Sequence, residues 1–230
     1  MHILSPDTLI IRALGLHTWV SVVDAMQQFT HQRNHMTPDE IWLVEHFPVF
    51  TQGQTGKKTH LLLPKDIPLM KSDRGGKITY HGPGQQMLYV MINLKRRRIG
   101  VHQLVVALEQ TVIETLAVFA VHAYIRPGAP GVYIDGKKIC SLGLRIRNSC
   151  SYHGLAFNIN MDLTPFLYID PCGDPLLEMT QLKQKKPEIT MLEVQPILIR
   201  SFMHQLGINS ITWDKGGALP KYNSLDSNDI

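Results

Sequence analysis

Two side chains in this sequence carry the chemistry of nucleophilic catalysis. One is a lysine. After the Asp135-Gly136 pair, the run Lys137 to Arg147 alternates: Lys137, Ile139, Ser141, Gly143, Arg145 and Arg147 on one face, Lys138, Cys140, Leu142, Leu144 and Ile146 on the other. The second row is apolar, so strand geometry sends Lys138 toward the core. An inward ammonium is costly unless it is paired or put to use; the alternative is a strand-end lysine reaching back to water. The other is Cys172, in Asp170-Pro171-Cys172-Gly173-Asp174-Pro175. Two prolines and a glycine make this a turn. Loops on a rigid scaffold present reactive groups, and a nearby lysine ammonium favours the thiolate, the nucleophilic form. The alternative is a small residue plugging a turn. Cys140, in the apolar row, and Cys150, beside a strand break, read as core.

A glycine-rich stretch runs Arg74-Gly75-Gly76-Lys77-Ile78-Thr79-Tyr80-His81-Gly82-Pro83-Gly84-Gln85. Its glycines permit close approach of the backbone to a ligand, or form tight turns around the strand-like Lys77 to Tyr80. Gly82-x-Gly84 is not a dinucleotide fingerprint, because Met87 stands at the third glycine, and Gly53 to Lys57 is not a phosphate loop, because Thr51 stands where its first glycine belongs. His81 and His153 each precede a glycine and read as ligand-site or structural histidines. Two basic clusters, Lys95 to Arg98 and Lys183, Lys185 and Lys186, read as solvated surface or as a dock for an acidic partner.

These residues need a scaffold. The chain has 230 residues, 44% hydrophobic and 18% charged, with a net charge of +4. That is a globular composition, mildly basic and short of an argument for nucleic acid. Three cysteines without a CxxC pattern argue against a disulfide framework or structural zinc and for a reducing, cytoplasmic setting. The start lacks a signal-peptide pattern, and the most apolar stretch, Leu104 to Val121, carries Glu109, Gln110 and Glu114; no membrane role is expected. Short apolar runs predict strands at Thr8–Arg12, Glu40–His46, Met87–Leu94 and Ser151–Met161, and a hairpin is expected across Asp135-Gly136. Period-3.6 runs predict helices over Leu16–Gln32, Val101–Val121 and Thr190–Gly207. The last opens on a Thr190-x-x-Glu193 capping box, and Pro196 should kink or restart it. Thr51–Lys58 reads as a polar loop, and residues 214–230 as a loosely ordered tail. The expectation is a single α+β domain over 1–230, helices packed on a mainly antiparallel sheet.

Taken together, three blocks resemble the lipoyl(octanoyl) transferases: Arg74-Gly75-Gly76-x-x-Thr79-Tyr80-His81-x-Pro83-Gly84-Gln85; Gly136-x-Lys138-Ile139-Cys140-Ser141-Leu142-Gly143; and His153-Gly154-Leu155-Ala156-x-Asn158, followed by Pro171-Cys172-Gly173. They occur in that family's order. The resemblance implies the fold of the biotin/lipoate protein ligase catalytic domain. It implies transfer of an octanoyl group from octanoyl-acyl carrier protein to a lysine of lipoyl domains, those of 2-oxoacid dehydrogenases and the glycine cleavage H protein. The family's acyl-thioester cysteine falls on Cys172 and its conserved lysine on Lys138. Its acyl-binding stretches fall on Arg74, Gly75, Gly76, Lys77, Ile78, Thr79, Tyr80 and His81, on Ser141, Leu142 and Gly143, and on Gly154, Leu155 and Ala156. A thioester donor is already activated, so no ATP, cofactor or metal is expected, and the protein is expected to act as a monomer. The competing readings are an ATP-dependent lipoate or biotin ligase on the same fold, a thiol hydrolase, and a non-catalytic module that holds an acidic partner.

Overall fold

Alternation along the strands builds a sheet buried on both faces. A computed structural model of the chain describes residues 8–55, 64, 66–171, 174–214 and 216–220. Its strands are β1 (Leu9–His17), β2 (Asp39–His46), β3 (Val49–Gln52), β4 (Leu69–Lys71), β5 (Ile78–His81), β6 (Gln85–Met91), β7 (Tyr124–Arg126), β8 (Ala129–Ile134), β9 (Lys137–Arg147), β10 (Cys150–Asn158) and β11 (Ile211–Asp214). The helices are α1 (Trp19–Gln32), the short α2 (Leu94–Arg97), α3 (Val101–Val118) and α4 (Met191–Leu206). Eight strands form one sheet in the order β11-β1-β2-β6-β10-β9-β8-β7. The β11–β1 and β1–β2 pairs are parallel and the rest antiparallel. A smaller sheet, β4-β3-β5, stands apart from it.

In β2, Ile41 and Leu43 join one core cluster, while Trp42 and Val44 join another. Strand β6 divides the same way, Leu88 and Val90 against Met87, Tyr89 and Met91. The first cluster packs under α3 and α4 through Leu104, Leu108, Val112, Leu198 and Phe202. The second packs under α1 through Trp19, Val22, Val23, Met26 and Phe29, three and four residues apart as the period predicting α1 requires. Helix α3 is long and apolar enough by composition to cross a membrane, but its Leu104, Leu108, Val112 and Leu116 are fully buried against the protein.

The helix ends follow local chemistry. Thr190 Oγ1 accepts from Glu193 N, while Glu193 Oε2 accepts from Thr190 N at 2.9 Å, the capping box read from sequence. The helix does not restart at Pro196: α4 runs through it. The carbonyl deprived of its partner is that of Leu192, which is 80% exposed and open to water. The expected loop at Thr51–Lys58 is corrected in its first two residues: Thr51 and Gln52 belong to β3, paired with Thr79 and Ile78, and residues 56–58 lie outside the described ones. Of the expected tail, residues 216–220 return to the body, His17 Nε2 lying 3.1 Å from Gly217 O and Leu219 packing against the α1 cluster; residues 221–230 lie outside the described ones.

Candidate active site

Lys138 lies where the hairpin argument put it, and the turn explains why. Asp135 and Gly136 both take positive φ, 47° and 82°, the geometry a type I′ turn demands. The turn fixes the register of β9, and Lys138 is buried at 2% exposure. Strict alternation fails one residue later: Ile139 joins Cys140 in the same core cluster, opposite a register shift between Val132 and Tyr133 of β8. The Lys138 ammonium lies 5.4 Å from the centroid of the Tyr133 ring, and the guanidinium of Arg126 lies 4.4 Å from the same centroid. Room for the lysine stem comes from Gly131. It has a φ of +132°, and a Cβ there would stand 2.5 Å from both Lys138 Cε and Cys140 O. The Gly131 N–H donates to Glu109 Oε1 of α3 at 2.9 Å.

Cys172 and Gly173 lie outside the described residues. The chain just beyond them is anchored to Lys138 by its backbone. Lys138 N donates to Glu178 O at 2.8 Å, and Thr180 N donates to Lys138 O at 2.9 Å. Asp174 and Leu177, beside the cysteine turn, line a cavity of about 620 Å³ together with Lys138 and Tyr133.

A second, narrower cavity joins the first. Gly76, Lys77, Leu142 and Gly143 line both. The narrow slot takes Arg74, Ile78, Thr79 and His81 from the glycine-rich block and its strand, Ser141 from β9, and Gly154, Leu155 and Ala156 from β10. The structure thus brings three separated blocks onto one apolar cleft. Two expected members stand aside. Gly75 lines only the wider cavity, its N–H donating to Leu144 O at 3.0 Å. Tyr80 lines neither cavity, and its ring packs on Phe50 and Phe166 with centroids 5.4 and 5.6 Å away. Arg74 holds the glycine loop in place, its guanidinium donating to Gly75 O, Thr51 O, Thr51 Oγ1 and Lys77 O at 2.8–2.9 Å. Gly154 admits no side chain, because a Cβ would strike the Leu88 carbonyl of the adjacent strand.

Behind the slot lies a buried polar layer that sequence reasoning largely missed. His46 Nε2 is 2.6 Å from Tyr89 OH, and His81 lies between Gln85 Oε1 at 2.7 Å and Thr51 Oγ1 at 3.0 Å. His153 meets Asp73 at 2.8 Å, and the Tyr152 hydroxyl donates to the same carboxylate. Burial pushes all three histidines down, His46 to about 4. Burial alone would raise Asp73; the hydrogen bonds from His153 and Tyr152 outweigh it and hold the carboxyl at about 2. This layer is therefore neutral apart from Asp73. His81 and His153 were legible as site histidines from their glycine neighbours. Met87 and Tyr89, also lining the slot, were legible only as one face of a strand, and nothing local marked Trp19. Among the described residues, no three His, Cys, Asp or Glu side chains gather as a metal site. Burial pushes the Cys140 thiol far up, as befits core.

The first basic cluster is corrected. Arg96 and Arg97, with Arg33, surround the fully buried carboxylate of Asp39 at 2.5–2.9 Å, so half of that cluster ties a helix to the sheet. In the second, Lys185 pairs with Asp135.

Known proteins resemble this chain over most of its length. An octanoyltransferase of Erwinia tasmaniensis is 66% identical over 217 residues, 94% of this chain and 97% of its own length. An octanoyltransferase of Yersinia pseudotuberculosis is 59% identical over 204 residues, 89% of this chain and 88% of its own. Among solved structures, lipoate-protein ligase A bound with ATP superposes with a TM-score of 0.66 at 14% identity, over 90% of this chain and 87% of its own. A bi-partite lipoate protein ligase from Thermoplasma acidophilum superposes with a TM-score of 0.66 at 15% identity, over 90% of this chain and 86% of its own; at such identities the two share the fold. The lipoyl protein ligase A/B catalytic domain matches residues 22–203, and with the slot, the buried lysine and the sheet in place, this chain belongs to that family.

Proposed function

We propose that this chain is an acyltransferase of lipoate biosynthesis. It moves an octanoyl group from octanoyl-acyl carrier protein to a lysine of a lipoyl domain, through a thioester on Cys172. The observation that carries the reading is the convergence of three distant sequence blocks on two joined cavities. One is a narrow apolar slot suited to an alkyl chain. The other holds buried Lys138, with residues flanking the Cys172 turn on its wall.

The chemistry has two halves. Lys138 takes the Cys172 proton or stabilises the thiolate. The thiolate attacks the octanoyl carbonyl, the carbonyl–sulfur bond to the carrier breaks, and the carrier's thiolate leaves with a proton. The acceptor amine then loses a proton with help from Lys138 and attacks the acyl-enzyme. An amide forms and Cys172 is released as thiolate. Exchange of thioesters followed by amide formation runs downhill without ATP. The acceptors are the lipoyl domains of 2-oxoacid dehydrogenases and the glycine cleavage H protein, and the enzyme acts as a cytoplasmic monomer.

The test is an intact-mass spectrum after mixing the protein with octanoyl-acyl carrier protein, without ATP or acceptor. The expected result is one octanoyl adduct, labile to hydroxylamine and absent in Cys172→Ala. No adduct, with lipoyl-domain labelling only when free octanoate and ATP are supplied, would overturn the reading in favour of a ligase.

A further inference from the structure

We infer that Met87 and Tyr89, with Trp19 of the same buried cluster, form the end wall of the slot and set the acyl length the enzyme prefers. The inference rests on the acyl-transfer reading above and adds the residues that measure the chain.

Two side-chain rows cross three strands on the α1 face of the main sheet. One row is Ser141, Ala156 and Met87; the other is Gly143, Gly154 and Tyr89, each in direct register across β9, β10 and β6. Both rows read small, small, large. The slot and the Lys138 cavity share Leu142 and Gly143 of β9, with Gly76 and Lys77 opposite them in the lining, so the mouth of the slot is on β9. Ser141 and Ala156 leave the channel open, Gly143 and Gly154 instead let the Gly75 and Leu88 carbonyls approach closely, and the large residues on β6 close it. Trp19, at the first turn of α1, lines the same slot and belongs to the same buried cluster as Met87, Tyr89 and Ala156.

The spacing gives the length. Two inter-strand steps span about 10 Å. An extended eight-carbon chain, with C–C bonds of about 1.5 Å, spans roughly 9 Å. The wall is rigid on one side: Tyr89 is tied by its hydroxyl to His46 at 2.6 Å. Met87 is the adaptable part, an unbranched thioether. Behind it in register stands Val44 of β2, so truncating Met87 opens space for about two further carbons and no more.

The experiment measures kcat/KM for transfer from carrier proteins loaded with six-, eight-, ten- and twelve-carbon chains, using the wild type, Met87→Ala and Ala156→Val. Equilibrium binding of octanoate and decanoate by calorimetry is measured alongside. Each accommodated methylene is worth about fourfold, so Met87→Ala is expected to raise the ten-to-eight-carbon ratio by about tenfold or more. Ala156→Val, which narrows the middle of the channel, is expected to move the optimum to six carbons. Should one variant fail to fold, the other carries the test in the opposite direction. A folded variant that keeps the wild-type length profile overturns the inference. A wild type that transfers no chain, yet binds decanoate more tightly after Met87→Ala, overturns the transfer reading and leaves the wall standing. A wild type that neither transfers nor binds overturns both.

Discussion

Replacing Gly131 with alanine should disable the enzyme through a residue that does no chemistry. The new methyl would stand 2.5 Å from Lys138 Cε and Cys140 O and 3.2 Å from Lys138 Nζ. The φ of +132° is itself hostile to a side chain, costing about 1–3 kcal/mol. Forcing a methyl against a strand carbonyl in a packed core adds about 1–3 kcal/mol. The expected loss of stability is therefore about 2–6 kcal/mol. Gly128, three residues earlier with φ of +74° and nothing within 4 Å of its Cβ, is the control. Gly128→Ala carries only the backbone cost, about 1 kcal/mol. Catalysis separates the two further. The Lys138 stem must move by roughly an ångström to reach ordinary contact, and displacement of that size costs about a hundredfold in rate. The assay pairs urea unfolding with single-turnover transfer to a lipoyl domain at a temperature where both variants are folded. A Gly131→Ala enzyme whose rate is within about threefold of wild type, or whose stability matches Gly128→Ala, would refute the argument.

Other expectations follow from buried charge. Lys138→Met, close to lysine in length, should keep the fold by circular dichroism and lose transfer by about a thousandfold; retained turnover would show that the lysine is structural. Asp39→Asn strips the compensating charge from Arg33, Arg96 and Arg97, and unfolding in urea should show a loss of about 3–5 kcal/mol. The buried histidines set an acid limit. His46 titrates near 6.5 when unfolded and about 4 when folded, so the folded state resists protonation. Its contribution is present above pH 6.5 and is lost as pH falls from 6.5 toward 4, by up to roughly 3 kcal/mol. His81 and His153, also pushed down by burial, steepen the same slope. The drop in urea midpoint between pH 7.5 and 5 should shrink in His46→Gln; an unchanged drop would exclude His46 as a source. Asp73 acts in a lower window, its contribution lost as pH falls from about 4 to about 2.

Much of this protein is written locally. Asp135-Gly136 fixes a hairpin because glycine and aspartate tolerate the positive φ that its turn needs, and period two then sends Lys138 inward without any knowledge of its surroundings. Helix α4 announces its start through Thr190 and Glu193, and α1 its buried stripe through residues three and four apart. The ordered blocks around Arg74, Lys138 and His153 were legible as a family signature. Tertiary structure alone decided the rest, because it turns on contacts between residues far apart in sequence. The side on which Tyr80 falls depends on where β5 pairs with β3. Arg96 and Arg97 look like solvated surface until Asp39, more than fifty residues away, is seen beneath them. The rows ending in Met87 and Tyr89 exist only because β9, β10 and β6 lie side by side in one register. A residue's chemistry and its local period are properties of the chain; what stands across from it, and hence the depth of the slot, is a property of the fold.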